Sequence, residues 1–270
     1  MSRLEKHYYD IGYLDTLAAG GSFLHRLDPR AKLLTTLVFT VTVVSFGKYE
    51  ISALVPYIIY PVSLISLGNL PPGYIFRKVL LVSPFAVIVG IFNPILDPDT
   101  LVTLGNFTVS GGWISFISIL LRFALTVGAA MILIALTGFN DVCMALEQLG
   151  APRFFALQLL FLYRYIFVLM DEGVRMVRAR ALRTFGGRGL GLATYASLLG
   201  HLLLRTLDRA QRIYSAMWCR GFDGTIRTTR RLSFGRAEYL FVASWTALFV
   251  TMRFYNIPLS LGEFLGELIG

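Results

Sequence analysis

Apolar residues gather along the chain in five long runs, at about Leu33–Phe46, Ile51–Leu67, Val79–Leu96, Trp113–Phe139 and Tyr239–Tyr255. Runs of this length predict helices that cross a bilayer, whose hydrocarbon core takes roughly 20 residues of helix to span. The first run is short, and it is expected to reach back through Ala31 with Lys32 snorkelling to the interface. Pro56, Pro61, Pro84 and Pro94 lie within the runs, where each removes a backbone donor and favours a kink.

Between the fourth and fifth runs the pattern changes. Asn140 and Asp141, following Gly138, are suited to cap a short helix over Asp141–Leu149, which Gly150 and Pro152 would end. From Phe154 to Arg183 only Gly173 interrupts a helical pattern that is apolar first and basic later. Its first half is nearly long enough to span. Gln158 and Arg164 oppose that, since a central arginine costs about 2.5 to 3.5 kcal/mol on insertion scales, so a helix lying along the membrane face is expected. Gly186, Gly187 and Gly189 then permit a sharp elbow. A second long helix, Thr194–Trp218, carries Leu199, Leu202, Leu203, Thr206, Ala210, Ile213 and Met217 on one face and Arg205, Arg209 and Arg212 on another. The two helices are expected to pack crosswise, with Ala179 and Ala181 close to Ser215 and Ala216. The predicted fold is an all-α polytopic membrane protein with about five transmembrane helices and an appended pair of crossed amphipathic helices. Its divisions are 1–32, 33–139, 140–236 and 237–270.

Composition agrees: 56% hydrophobic residues, 15% charged residues and a mean hydropathy of +0.66 fit a chain whose solvent is largely lipid. Met1–Lys32 holds no apolar stretch of signal-peptide length, so insertion is expected to rely on the internal segments. Charge sharpens the picture. Between Asp171 and Arg236 stand thirteen arginines, no lysine and four acids, a net +9 that equals the whole excess of the protein. The linker carrying Arg77 and Lys78 is basic, whereas 97–112 holds two acids and no base. The positive-inside rule therefore puts the arginine block and the N-terminus in the cytoplasm and the C-terminus outside. Arg122 stands well inside the fourth run, as an intramembrane charge that either snorkels outward or faces a polar interior.

The chemistry that is missing also narrows the function. Two cysteines 76 positions apart and three isolated histidines imply neither a disulfide framework nor a metal site. No phosphate-binding loop of the G-x-x-x-x-G-K-[ST] type occurs, and the glycine stretch fails the dinucleotide pattern at Leu192, so any ATP must be bound by a partner. No His, Asp or Glu lies in Ile51–Leu96 or Trp113–Phe139, which disfavours a membrane enzyme and, with so few intramembrane polar groups, a self-contained channel or carrier. The arginines alternate with apolar helical faces instead of exposed aromatics, which disfavours nucleic acid. Both long helices end alike, in an arginine followed by Phe and Gly: Arg183-Thr184-Phe185-Gly186 and Arg220-Gly221-Phe222-Asp223-Gly224. Guanidinium groups suit the negative end of a helix and bind carboxylates bidentately, so the pair of ends can serve two acidic grooves.

These motifs resemble those of the T component of energy-coupling factor transporters, specifically the Q-type subunit of cobalt and nickel importers. Ser22–Leu33, with Asp28, Pro29, Arg30 and Lys32, is similar to that family's N-terminal signature. Ala216–Gly224 is similar to its second coupling motif, and Arg178–Gly186 corresponds to the first. The family's Ala-Arg-Gly appears here as Cys219-Arg220-Gly221 and, at the first end, as Leu182-Arg183-Thr184, with Ala179-Arg180-Ala181 overlapping it. Arg183 is preferred there, and Arg180 remains open. The resemblance implies a non-catalytic subunit of a bacterial cell membrane, with 140–236 as its cytoplasmic coupling domain. Its partners would be two ABC-type ATPases, which bind the ATP, a membrane S component for cobalt or nickel, and a small accessory membrane subunit. Asp28 and Pro29 also have a plain structural role as cap and first residue of a helix, with Arg30 and Lys32 as interface anchors.

Overall fold

The computed structural model describes residues 12–96, 100–104, 107–183, 191–224 and 234–255. In chain order, a short turn of helix at Phe23–Arg26 leads into α1 (Pro29–Val44). A composite helix over Ile51–Gly68 follows, with a 3-10 segment at Val55–Ile58 and its longest α-helical part, α2, at Ile59–Gly68. Then come α3 (Pro72–Gly90), a turn of helix at Asn93–Leu96, an antiparallel hairpin of β1 (Thr100–Leu104) and β2 (Phe107–Ser110), and α4 (Gly111–Thr137). The remaining helices are α5 (Phe139–Gln148), α6 (Arg153–Arg183), α7 (Leu192–Cys219) and α8 (Arg236–Phe254). The fold is thus an all-α polytopic membrane protein with one small hairpin in a connecting loop.

By length and composition Ile51–Gly68, α3, α4 and α6 can each cross a membrane. The 16 residues of α1 make a rod of only about 24 Å, short of the roughly 30 Å of hydrocarbon. Arg236, Glu238 and Arg253 sit at the two ends of α8 and leave a shorter apolar centre. The length of α6, 31 residues, qualifies it as a possible span, where the sequence pattern predicts an interfacial helix.

The chain divides into two compact units. One holds the described residues of Thr16–Gly138 and Leu232–Gly270, the other those of Met1–Asp15 and Phe139–Arg231. In the first, α4 packs against α1 and α3, and α8 packs on α1. The fully buried Phe39, Tyr57, Tyr60 and Phe249 form its centre, with the Phe39 and Tyr60 rings 4.6 Å apart and Phe39 and Phe249 5.4 Å apart. Each tyrosine hydroxyl has a partner: Tyr57 donates to the Phe249 carbonyl at 2.9 Å, and Tyr60 lies 2.9 Å from the Thr36 hydroxyl. Burying a hydroxyl away from water costs far less when it is satisfied in this way.

Two sequence expectations change here. Asp28 does cap α1, accepting from the Arg30 amide at 2.9 Å with Pro29 at the first helical position. Lys32, however, does not snorkel: it is buried and its Nζ donates to the Leu136 carbonyl at 3.0 Å. That carbonyl belongs to the last turn of α4, where unpaired carbonyls and the negative end of the helix dipole attract a cation. Arg77 and Lys78 lie in the second turn of α3, not in a linker, because Pro72 starts that helix early with its φ already helical. Arg122, from the middle of α4, donates to the Gly47 carbonyl in the loop after α1. Arg253 grips the same loop, donating to the Ser45 carbonyl at 3.1 Å and lying 3.7 Å from the Glu50 carboxylate. The Arg122 and Arg253 guanidiniums therefore both bond to protein backbone.

Candidate functional site

In the second unit, α5 packs against α6. The rings of Phe139 and Tyr163 stack at 4.5 Å, and Tyr163 donates to the Asp15 carboxylate at 2.7 Å. Cys143, Ala145 and Ala156 are the buried residues of this contact region. Beyond it α6 packs against α7. The Arg205 guanidinium of α7 donates to Glu172 of α6 at 2.5 Å. To one side, Val174 and Val177 line a cleft with Tyr195 and Leu198; to the other, Phe154 and Phe161 line a second cleft with Ile213 and Met217. The two helices are therefore antiparallel and touch near their middles.

This register overturns the expected meeting of Ala179 and Ala181 with Ser215 and Ala216. Running antiparallel, the end of α6 lies toward the beginning of α7, and Ser215 and Ala216 lie beside the start of α6. The packed stripe of α7 is also rotated from the sequence expectation. Leu198, Leu202, Thr206, Arg209, Ile213 and Met217 are partly buried, while Leu199, Leu203 and Ala210 are exposed. Tyr195, Leu199, Leu203, Leu207, Tyr214 and Trp218 thus form an apolar stripe open to the surroundings.

The arginine-bearing ends consequently point apart. Arg183 is the last residue of α6, about 16 Å along the axis from Glu172, and Arg220 lies about 22 Å beyond Arg205 on α7, at 1.5 Å per residue. Both are exposed, as is Ala181, while Arg180 is half-buried. The elbow residues Gly186, Gly187 and Gly189 lie outside the described residues. Asp28, Pro29, Arg30 and Lys32 belong to the other unit and are occupied there with starting α1 and ending α4.

The second end has a local backbone logic. Gly221 adopts φ +73°, its amide donates to Trp218 at 3.0 Å, and the Phe222 amide donates to Met217 at 3.1 Å. This is a Schellman closure, and Met217 and Phe222 line the same cleft, which completes its apolar contact. Arg220 is thereby held as the capping residue, with its side chain free of the helix, and only glycine enters the left-handed conformation at 221 without penalty. Gly221→Val should cost about 1 to 2 kcal/mol locally and loosen the last turn. A spin label on the exposed Cys219 would report greater mobility, and an unchanged spectrum would refute this account. Sequence reasoning missed Glu172 as the partner of Arg205; the available signal was that Asp171-Glu172 is the one acidic pair in the arginine block.

Several long apolar helices joined to a largely exposed antiparallel pair, tipped by arginines at opposite ends, define a polytopic membrane protein with an unpartnered helical appendage. Comparison with known sequences then narrows the class. The chain belongs to the CbiQ family, described as cobalt transport proteins, whose profile matches residues 20–232. It is 26% identical over 226 residues to the energy-coupling factor transporter transmembrane protein EcfT of Leuconostoc gelidum, an overlap of 78% of this chain and 84% of that one. Similarity to the EcfT protein of Bacillus subtilis is 26% over 221 residues, covering 76% and 82%. An uncharacterized protein of Methanocaldococcus jannaschii is 29% identical over 215 residues, covering 76% and 73%.

Proposed function

We propose that this chain is the membrane coupling subunit of an energy-coupling factor importer. In this reading Arg183 and Arg220 dock into acidic grooves on two cytoplasmic ABC ATPases. The observation that carries it is the placement of two exposed arginine-tipped helix ends at opposite extremes of one antiparallel pair. A single binding site would gain nothing from that separation, whereas two ATPases side by side need two separated contacts. The relatives named as energy-coupling factor transmembrane proteins support the same assignment.

The exposed apolar stripe of α7 would receive the membrane subunit that captures substrate, so that closure of the ATPases moves that subunit through the helix pair. ATP is bound by the ATPases, and this chain contributes no catalytic group. The family description favours cobalt as cargo, carried by the partner that binds it. The test is isolation of the chain from its native membrane with stoichiometric partners identified by mass spectrometry, followed by cobalt uptake into vesicles with and without the ATPases. Recovery without an ATPase pair, or uptake independent of ATPases, would sink the proposal.

This reading places α5 to α7 and the N-terminus on the cytoplasmic side of the cell membrane. The two cysteines offer a check. Cys219 is exposed, whereas Cys143 is buried and its thiol is pushed up to about 11 by that burial. An impermeant maleimide should label Cys219 in inverted vesicles and not in intact cells, and Cys143 in neither. Labelling of Cys219 from outside would reverse the orientation.

A further inference from the structure

The cleft between the first half of α6 and the second half of α7 has a volume of about 610 Å³, with Phe161, Tyr165, Ile213 and Met217 among its walls. It does not end in apolar surface. Val168, Leu169, Thr206 and Arg209 also line an adjoining hollow of about 350 Å³, whose other residues include Glu172, Arg205, Asp208 and Arg212. Three guanidiniums and two carboxylates thus stand at the mouth of an apolar trough. Glu172 is engaged by Arg205, and among the described residues Arg212 makes no ion pair. Among the described residues Arg209 is the only charged one of the trough wall, and it belongs to both cavities.

An apolar channel opening onto cationic forks matches an amphiphile with an anionic head. A soluble anion would leave the trough unfilled, and an uncharged amphiphile would leave the hollow's excess positive charge, three guanidiniums against Glu172 and Asp208, unbalanced. We infer that this composite site holds an anionic phospholipid of the surrounding bilayer, its acyl chain along the trough and its phosphate against Arg209 and Arg212. Arginine suits that task because its planar donors grip phosphate oxygens at an interface, and basic pockets between membrane-associated helices recognise such heads. The occupant fills the space that the sparse contact between α6 and α7 leaves open, and so braces the pair on one side of its ion pair. The inference rests on the chain being a membrane protein and not on its coupling to ATPases.

The full-length protein, in mixed micelles containing equal phosphatidylglycerol and phosphatidylcholine, would be examined by native mass spectrometry for retained lipid. The wild type should prefer phosphatidylglycerol by about tenfold, as two arginines near an anionic head allow. Arg209→Gln/Arg212→Gln should abolish the preference, and Arg209→Lys/Arg212→Lys should keep most of it. Ala210→Phe, which narrows the trough and spares every arginine, should reduce retention of both lipids and guards against loss of the first variant to misfolding. Equal retention of the two lipids by the wild type, or an undiminished preference in Arg209→Gln/Arg212→Gln, overturns the proposal. So does a cleft that keeps no lipid and is protected only by a co-isolated membrane protein. Arg183→Glu/Arg220→Glu should leave lipid retention unchanged, so the two proposals can fail separately.

Discussion

The Arg183→Glu/Arg220→Glu variant is expected to insert into the membrane normally and to emerge from it without its ATPases. Truncating one partner of a hydrogen-bonded charge pair at an interface costs about 2 to 5 kcal/mol, and reversing the charge adds repulsion against the acidic groove. Each single variant should therefore lose at least roughly thirtyfold in association, and transport with it. Neither residue supports the fold: Arg183 and Arg220 are exposed, and the last turn of α7 is closed by backbone bonds from Gly221 and Phe222. Copurification measured beside membrane yield separates the two effects. Normal recovery of ATPases with both single variants would end the docking account.

The second large effect should come from Lys32, in the other unit. Its ammonium is buried and donates to the Leu136 carbonyl at 3.0 Å. Lys32→Met keeps the volume and leaves that carbonyl without its cation, a loss of about 2 to 3 kcal/mol for a hydrogen bond made by a charged group. Lys32→Glu should be worse, since it sets a carboxylate against the negative end of α4. Both should lower the unfolding temperature of the detergent-solubilised protein and its yield. Arg30→Gln is the comparison: its side chain is partly exposed and lies 3.8 Å from the buried Asp28, beyond hydrogen-bond reach, so its loss should cost less than that of Lys32. Equal effects from Lys32 and Arg30 substitutions would remove the buried lysine from its assigned role.

The contrast between these residues shows what the sequence displays. Asp28-Pro29 reads as a helix start because capping is local, and the structure places both where that rule puts them. Lys32 reads as an interface anchor because its true partner is 104 residues away, beyond any local pattern. The lengths of α6 and α7 were legible within a few residues from Gly150, Pro152 and the run after Gly191. Their mutual register was not, since small residues such as Ala179 and Ser215 permit close approach without selecting it. Arg209 defied its face for a related reason. Helical periodicity fixes which residues share a stripe, but the neighbour decides which stripe is covered.

The helix pair is joined near its middle by the Arg205–Glu172 ion pair and flanked by open clefts of about 310 Å³ and 610 Å³, and none of the residues of α7 is fully buried. Such a joint behaves as a pivot with two unequal arms. Opening the crossing by ten degrees or so would sweep the tips through roughly 3 to 4 Å, given arms of about 16 and 22 Å at 1.5 Å rise per residue. Little packed surface resists that rotation, so stiffness must be supplied from outside the pair, by whatever holds its tips and fills its gaps. The pair by itself is a compliant hinge, and it becomes a lever only when loaded.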